Sequence, residues 1–311
     1  MRRFRTRRKR LAARLLLPFA ALMMTTTLTA AFAAAPAPSP SPKLDASARN
    51  VKFGERVTLR GSFSDAPNTA LSIDHRARGS KRWRKVRGGH TGADGRYAVR
   101  IKPRRSGFWR AVLDGAAAGR AAPRSSTDTR VNVRSRTNAR VVGGHAKLGE
   151  RIKVRGKVRP TGANRRVKIK LGGQTDSVRT GRNGKFSVQL RARRTGTRKV
   201  KVISRSNRIA RGSRAKAGQV TVYRAAAASW YGPGLYGNPT ACGGTLTPST
   251  LGVAHKTMPC GTKLRLRYGG RSVAVRVIDR GPYSGNREFD LTAATKQRLG
   301  FPDTGTVLSS K

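Results

Sequence analysis

Acidic residues are scarce. The 311 residues hold 13 Asp+Glu against 68 Lys+Arg, a formal charge of +55 at pH 7. Cysteine is scarcer still: two residues, which excludes a Cys-rich mini-scaffold and any Cys-based zinc finger. The four histidines, His75, His90, His145 and His255, are scattered without metal-ligand spacing, so neither a metal nor a cofactor is expected. Aromatics make up 6%. Only one apolar run is long enough to matter, and it is N-terminal, which excludes a multi-pass membrane protein. What is present suffices for packed cores: 37% of residues are apolar before glycine is counted. The length corresponds to roughly two or three domains.

Residues 1–14 carry eight positive charges and no acid, and LLLPFAALMMTTTLTAAFAAA follows. Ala31-Phe32-Ala33 fits an A-x-A cleavage site, so 1–33 is read as a signal peptide and the mature chain as exported without a stable transmembrane segment. The alternative is an uncleaved anchor. Residues 34–43 form a short Pro-rich linker.

Two repeats come next. FGERVTLRGSF at 53–63 returns as LGERIKVRGKV at 148–158. GADGRYAVRI at 92–101 returns as GRNGKFSVQL at 181–190, and VNVR at 131–134 as VTVY at 220–223. Apolar and polar residues alternate (Val57/Leu59, Tyr97/Val99/Ile101, Val200/Val202), the period of half-buried strands. Asp94-Gly95 and Asn183-Gly184 are hairpin-turn signals. The pattern predicts two tandem immunoglobulin-like β-sandwiches, over 44–134 and 135–224. Residues 44–224 hold 48 Lys+Arg and 9 Asp+Glu, a net of +39. Such charge is either a set of solvated strand faces or an electrostatic surface for polyanions. For an exported chain without stacking aromatics, anionic cell-wall polymers or acidic lipid headgroups fit better than nucleic acid.

Composition shifts at 225. Residues 225–311 hold 11 basic and 4 acidic residues, and both cysteines, Cys242 and Cys260. In an exported chain this isolated pair reads as a disulfide, the alternative being two buried thiols. KLRLRY (263–268) and SVAVRVID (272–279) alternate as barrel strands, with Val273, Val275 and Val277 on one face. Asp279 then stands at a strand end before Arg280-Gly281-Pro282, either as a site carboxylate at a rim or as a turn cap. Thr292 and Gly300 read as the N-cap and C-terminal stop of a short helix. GPGLYG at 232–237 matches the dinucleotide fingerprint, but no helix or spaced acid follows, so that site is excluded.

ASWYGPGLYGNPTACG (228–243), GVAHKTMPCGTKLRL (252–266), VRVIDRGPY (275–283) and FDLTAATKQRLG (289–300) resemble, in order and spacing, the rare lipoprotein A (RlpA) family. The resemblance covers the last quarter of the chain. It implies a six-stranded double-psi β-barrel over 225–311 and an all-β protein. It also implies peptidoglycan glycan strands as the partner. Members of the family act as lytic transglycosylases, whereas expansin-like relatives loosen or bind walls without cleavage. By this resemblance Asp279 and His255 are functional and Thr240 stands at the groove; on the residues alone His255 is equally a packed histidine, and Asp290, ahead of the short helix, either assists Asp279 or serves helix-end electrostatics. Trp230, Tyr231, Tyr236, Tyr283 and Arg280 are candidate substrate-binding residues; packing is the alternative for the aromatics. One departure matters. The family reads roughly T-A-S-G-E where this chain reads T-A-C-G-G-T at 240–245, so a carboxylate is missing.

A lytic transglycosylase can work with one acid/base group, because the C6 hydroxyl of N-acetylmuramic acid is tethered to the reacting ring. The acid must hold its proton, and like-charge repulsion from Asp290 favours that form of Asp279. The reading is an exported, cell-wall-associated lytic transglycosylase; the alternative is a non-catalytic wall-binding or loosening module.

Overall fold

The computed structural model describes residues 42–115, 123–162 and 164–311. The segment read as a signal peptide, 1–33, and nearly all of the segment read as a Pro-rich linker, 34–43, lie outside the described residues. The fold is all-β apart from one short helix.

The first nine strands are β1 (Leu44–Ala46), β2 (Asn50–Lys52), β3 (Val57–Ser62), β4 (Ala70–Ala77), β5 (Arg84–His90), β6 (Arg96–Ile101), β7 (Gly107–Leu113), β8 (Arg124–Ser125) and β9 (Thr129–Arg134). They make one sheet of order β1-β3-β6 and another of order β2-β9-β7-β4-β5, with β8 on β7. Alternation decides what each sheet buries. Along β6, Tyr97, Val99 and Ile101 are buried and Arg96, Ala98 and Arg100 exposed. These meet Leu71, Ile73, Trp109 and Val131 of the facing sheet in one core. Each such side chain contributes ~1.5–3 kcal/mol relative to exposure.

The next strands are β10 (Arg136–Val142), β11 (His145–Lys147), β12 (Arg151–Arg159), β13 (Arg166–Leu171), β14 (Gln174–Arg179), β15 (Lys185–Arg191), β16 (Gly196–Ser204) and β17 (Ser213–Tyr231). Here β10-β12-β15 faces β11-β17-β16-β13-β14, the strand order of the first pair of sheets over again. A second core fills the space, built on Ile152, Val154, Ile169, Leu190, Val200 and Val202. Glu55 Oε2 accepts the Lys52 amide at 2.7 Å, and Glu150 Oε2 accepts the Lys147 amide at 2.8 Å. The matching glutamates of the two GER motifs thus close matching turns.

The Asp94-Gly95 and Asn183-Gly184 turns form, with Asp94 Oδ1 accepting the Arg96 amide and Asn183 Oδ1 the Lys185 amide. They are not hairpins between paired strands. β5 and β6 belong to opposite sheets, as do β14 and β15. A turn signal fixes the chain reversal, but the buried faces choose the partner strand.

The composition break at 225 falls inside β17. Its first half pairs with β16 and its second half with the strands that follow. These are β18 (Val253–Ala254), β19 (Lys263–Tyr268), β20 (Arg271–Asp279), β21 (Phe289–Thr292), helix α1 (Ala293–Leu299) and β22 (Gly305–Ser309). The pairings run β17-β21-β18-β20-β19-β22 and return to β17, closing a ring. Inside lie Val273, Val275 and Val277 of β20, with Leu264, Leu266, Phe289, Leu291 and Val307. Thr292 caps α1, its side chain accepting the Thr295 amide, and Gly300 ends it at φ 62°. Among the described residues no helix is long and apolar enough to cross a membrane.

Candidate functional site

Three strand registers build the site. Ser229 of β17 lies opposite Asp290 of β21. Ala254 of β18 lies opposite Asp290 on one side and Asp279 of β20 on the other. Residues directly opposite share a face, so Ser229, Asp290, Ala254 and Asp279 form one row. At ~4.8 Å per strand, the two aspartate backbones stand ~10 Å apart across the Ala254 methyl. A bulge makes this possible. Val253 pairs with Val277 but Ala254 with Asp279, so Ile278 is the extra residue. Without it Ile278 would stand opposite Ala254 and Asp279 would turn to the other face.

The bulge is pinned from the 240–244 turn. The Cys242 amide donates to the Ile278 carbonyl at 3.1 Å. The Ala241 amide donates to Asp279 Oδ1 at 2.9 Å, and the Arg280 amide to the same oxygen at 2.8 Å. Two backbone amides thus anchor Oδ1, while the carboxylate also faces the Tyr231 hydroxyl. Thr240, buried, donates its hydroxyl to the Gly243 carbonyl at 2.9 Å and shapes the turn. The Cys242–Cys260 disulfide forms and ties that turn to the 255–261 loop.

Asp290 Oδ1 accepts the Ser229 hydroxyl. Gly281, at φ 126°, passes beside Asp290, where a Cβ would stand 3.8 Å from Oδ2 and from the Tyr283 ring. Tyr231 lies on the Ser229 face of β17, two residues on. Its hydroxyl is buried without a geometrically sound hydrogen bond. Burial first, then the nearby Asp279 and Asp290 carboxylates, push its pKa up and hold it as the neutral phenol. The phenol thus faces the two acids and keeps its proton as a donor toward Asp279.

His255 is buried on Phe289, with ring centroids 5.1 Å apart. Its Nδ1 accepts the amides of Thr257 at 3.1 Å and Met258 at 2.9 Å, and its backbone amide donates to the Asp279 carbonyl at 3.1 Å. With Nδ1 accepting, Nε2 carries the proton of the neutral ring, 3.7 Å from Glu288 Oε1. Burial lowers the His255 pKa; Glu288 opposes this, and Arg224 and Arg280 reinforce it. Glu288 is itself held by Arg224 through both carboxylate oxygens. The ring nitrogens therefore engage the loop and Glu288 rather than either aspartate.

Arg280 turns away from the row. Its guanidinium donates to the carbonyls of His255 and Met258 at 3.3 and 3.0 Å, and lies 3.2 Å from Cys260 Sγ. Trp230, a candidate sugar platform from sequence, is covered. Lys296 Nζ sits 3.8 Å from its ring centroid, and its indole N–H donates to Asp303 Oδ1 at 2.8 Å. Tyr236 folds its hydroxyl over Gly232 and remains partly exposed. Tyr283, 81% exposed, is the most open aromatic near the row. Ser229, Ala254, the Ala241 amide and Glu288 escaped the sequence reading. Ser229 had a signal: it precedes Tyr231 by two on an alternating strand, which places both on one face.

Residues 223–308 match the family model described as lytic transglycolase. The endolytic peptidoglycan transglycosylase RlpA of Neisseria meningitidis is 43% identical over 82 residues, 26% of this chain and 34% of that protein. Its namesake in Pseudomonas aeruginosa is 43% identical over 82 residues, 26% of this chain and 24% of that one. That of Campylobacter jejuni is 42% identical over 82 residues, covering 26% and 30%. The chain thus spans about a quarter to a third of the length of the curated relatives it matches. The C-terminal domain is an RlpA-like double-psi β-barrel.

Proposed function

We propose that this chain is an exported, cell-wall-associated lytic transglycosylase. Its barrel would cleave MurNAc–GlcNAc bonds of peptidoglycan glycan strands to 1,6-anhydro products. The observation that carries this reading is the anchored Asp279, one oxygen fixed by two amides, across Ala254 from a second carboxylate.

The glycan lies over the row. Asp279 gives its proton to the glycosidic oxygen as the bond from C1 of the muramic residue breaks. Positive charge grows on that ring, and the Asp290 carboxylate, oriented by Ser229, offsets it. The C6 hydroxyl of the same ring attacks C1 and passes its proton to Asp279, restoring the acid. Because the nucleophile is tethered, no second carboxylate is needed to activate water. Tyr231 supplies a hydrogen bond to the acid or the sugar. His255 and Arg280 hold the 255–261 loop, whose His255 amide donates to the Asp279 carbonyl, and Tyr283 offers a ring to a neighbouring sugar. No metal or cofactor enters this chemistry.

The two pairs of sheets, read as tandem immunoglobulin-like sandwiches over 44–134 and 135–224, would carry the barrel to anionic wall polymers through their positive charge. One observation favours a second reading, a non-catalytic wall-binding or loosening module: the 240–245 turn beside Asp279 holds no carboxylate. Asp279→Asn separates the two. The enzyme reading expects the variant to sediment with peptidoglycan like the parent while releasing no soluble fragments. A parent that sediments but releases nothing supports the second reading.

A further inference from the structure

A cleft of about 2030 Å³ lies where the two pairs of sheets meet. That is about twice the upper end for small-molecule pockets, so it suits a length of polymer. Its walls hold eight arginines and three lysines, with Glu55 the one carboxylate among the described lining residues. Glu55 is already engaged, 4.0 Å from Lys52 Nζ and accepting the Lys52 amide.

The cleft is built rather than incidental. Ala210, from the loop after β16, is buried in the core of the first pair of sheets. The Arg211 amide donates to the Val133 carbonyl at 2.7 Å, the Ser135 amide to the Arg211 carbonyl at 2.9 Å, and the Ser106 amide to the Ile209 carbonyl at 2.8 Å. These bonds fix the two walls against each other before any ligand arrives, which lowers the entropy cost of binding.

Behind the lining lies a second, independent feature. Arg165 is 1% exposed. Its guanidinium donates to Ser135 Oγ and to the carbonyls of Pro160 and Arg205, all three residues of the cleft lining. No carboxylate meets it among the described residues, and its Nε has no partner. A buried cation without an anion is costly. An anion in the cleft would offset that charge through the lining residues.

We propose that this cleft binds a linear phosphodiester polymer without bases, a polyol-phosphate chain threaded between the two pairs of sheets. The proposal rests on the wall-targeting reading above and gives it a site. Arginine predominates, and its planar fork matches phosphate oxygens. Phe53 is the one aromatic among the described lining residues, too few for the stacked platforms that hold single-stranded nucleic acid.

The test uses the full chain and three probes: poly(glycerol phosphate), single-stranded DNA of matched charge, and peptidoglycan stripped of phosphate polymers. The cleft variant combines Arg104→Gln, Arg136→Gln, Arg159→Gln and Arg214→Gln, all at exposed positions of the lining. The control removes the same charge at exposed positions outside it, Arg182, Arg191, Arg193 and Arg194. We expect poly(glycerol phosphate) affinity to fall at least tenfold in the cleft variant and less than threefold in the control, with unchanged melting temperatures. Equal losses in both variants would overturn the cleft while leaving diffuse wall targeting intact. No binding by the parent chain would overturn both. Cleft-dependent DNA binding as tight as that of poly(glycerol phosphate) would overturn the base-free assignment in favour of nucleic acid. Stripped peptidoglycan should be cleaved equally by all three proteins.

Discussion

The Ala241 amide donates to Asp279 Oδ1 at 2.9 Å, so a turn 38 residues upstream sets the orientation of the acid. The Cys242–Cys260 disulfide fastens that turn to the 255–261 loop. Closing the loop should contribute ~3 kcal/mol, mainly by restricting the unfolded chain. The Cys242→Ser/Cys260→Ser protein is expected to melt lower and to lose turnover more than glycan binding. Equal turnover in the oxidised and Cys-free proteins would show that the staple does not position Asp279.

Ala254 keeps the two carboxylates apart with the smallest side chain that alternation allows. It is buried at 3% exposure. Ala254→Leu should cost ~1–3 kcal/mol from overpacking and reduce cleavage more than tenfold by closing the gap over the row. Ala254→Ser should keep most of both. A fully active Ala254→Leu protein would mean the glycan lies elsewhere.

Ser229 acts through Asp290. Ser229→Ala leaves Asp290 Oδ1 without its hydroxyl donor. Turnover should fall about ten- to a hundredfold with little change in glycan affinity, since one hydrogen bond to a charged group is worth ~1.5–3 kcal/mol. A change confined to affinity would place Asp290 in binding rather than in stabilising the transition state.

The His255 loop should open in acid. Its folded pKa lies below the ordinary imidazole value of about 6.5, burial being the largest cause. The neutral ring is therefore the folded form. The stability it gives is fully present above about pH 6.5 and is lost as pH falls through the lowered folded value. Protonating Nδ1 removes the acceptor of the Thr257 and Met258 amides. Hydrogen exchange at those two amides should quicken as pH drops below 6.5, after correction for intrinsic rates, while the Leu266 amide in β19 stays protected. Constant protection at all three would refute the switch.

Much of this fold was legible because alternation and caps act locally. Val273, Val275 and Val277 declared one face of β20, and Thr292 and Gly300 marked the ends of α1. The partner strands of the Asp94 and Asn183 turns were not legible, since pairing is decided by distant buried faces. The site was half legible. Asp279 and Asp290 stood out as two of only four acids after residue 225. The Ile278 bulge that aims Asp279 leaves no local signature, because it depends on the register of β18 against β20. The Lys296 contact on the half-buried Trp230 ring was not legible either, since it comes from helix α1, 66 residues on.

Intramolecular transfer on muramic acid, driven by Asp279, leaves a distinct product. The direct measurement is mass spectrometry of glycan fragments released from peptidoglycan, with and without stem peptides, by the full chain and by Asp279→Asn. The account predicts 1,6-anhydromuramic ends from the parent and none from the variant, which should still sediment with the glycan. Reducing ends instead of anhydro ends, or anhydro ends that persist in Asp279→Asn, would contradict it.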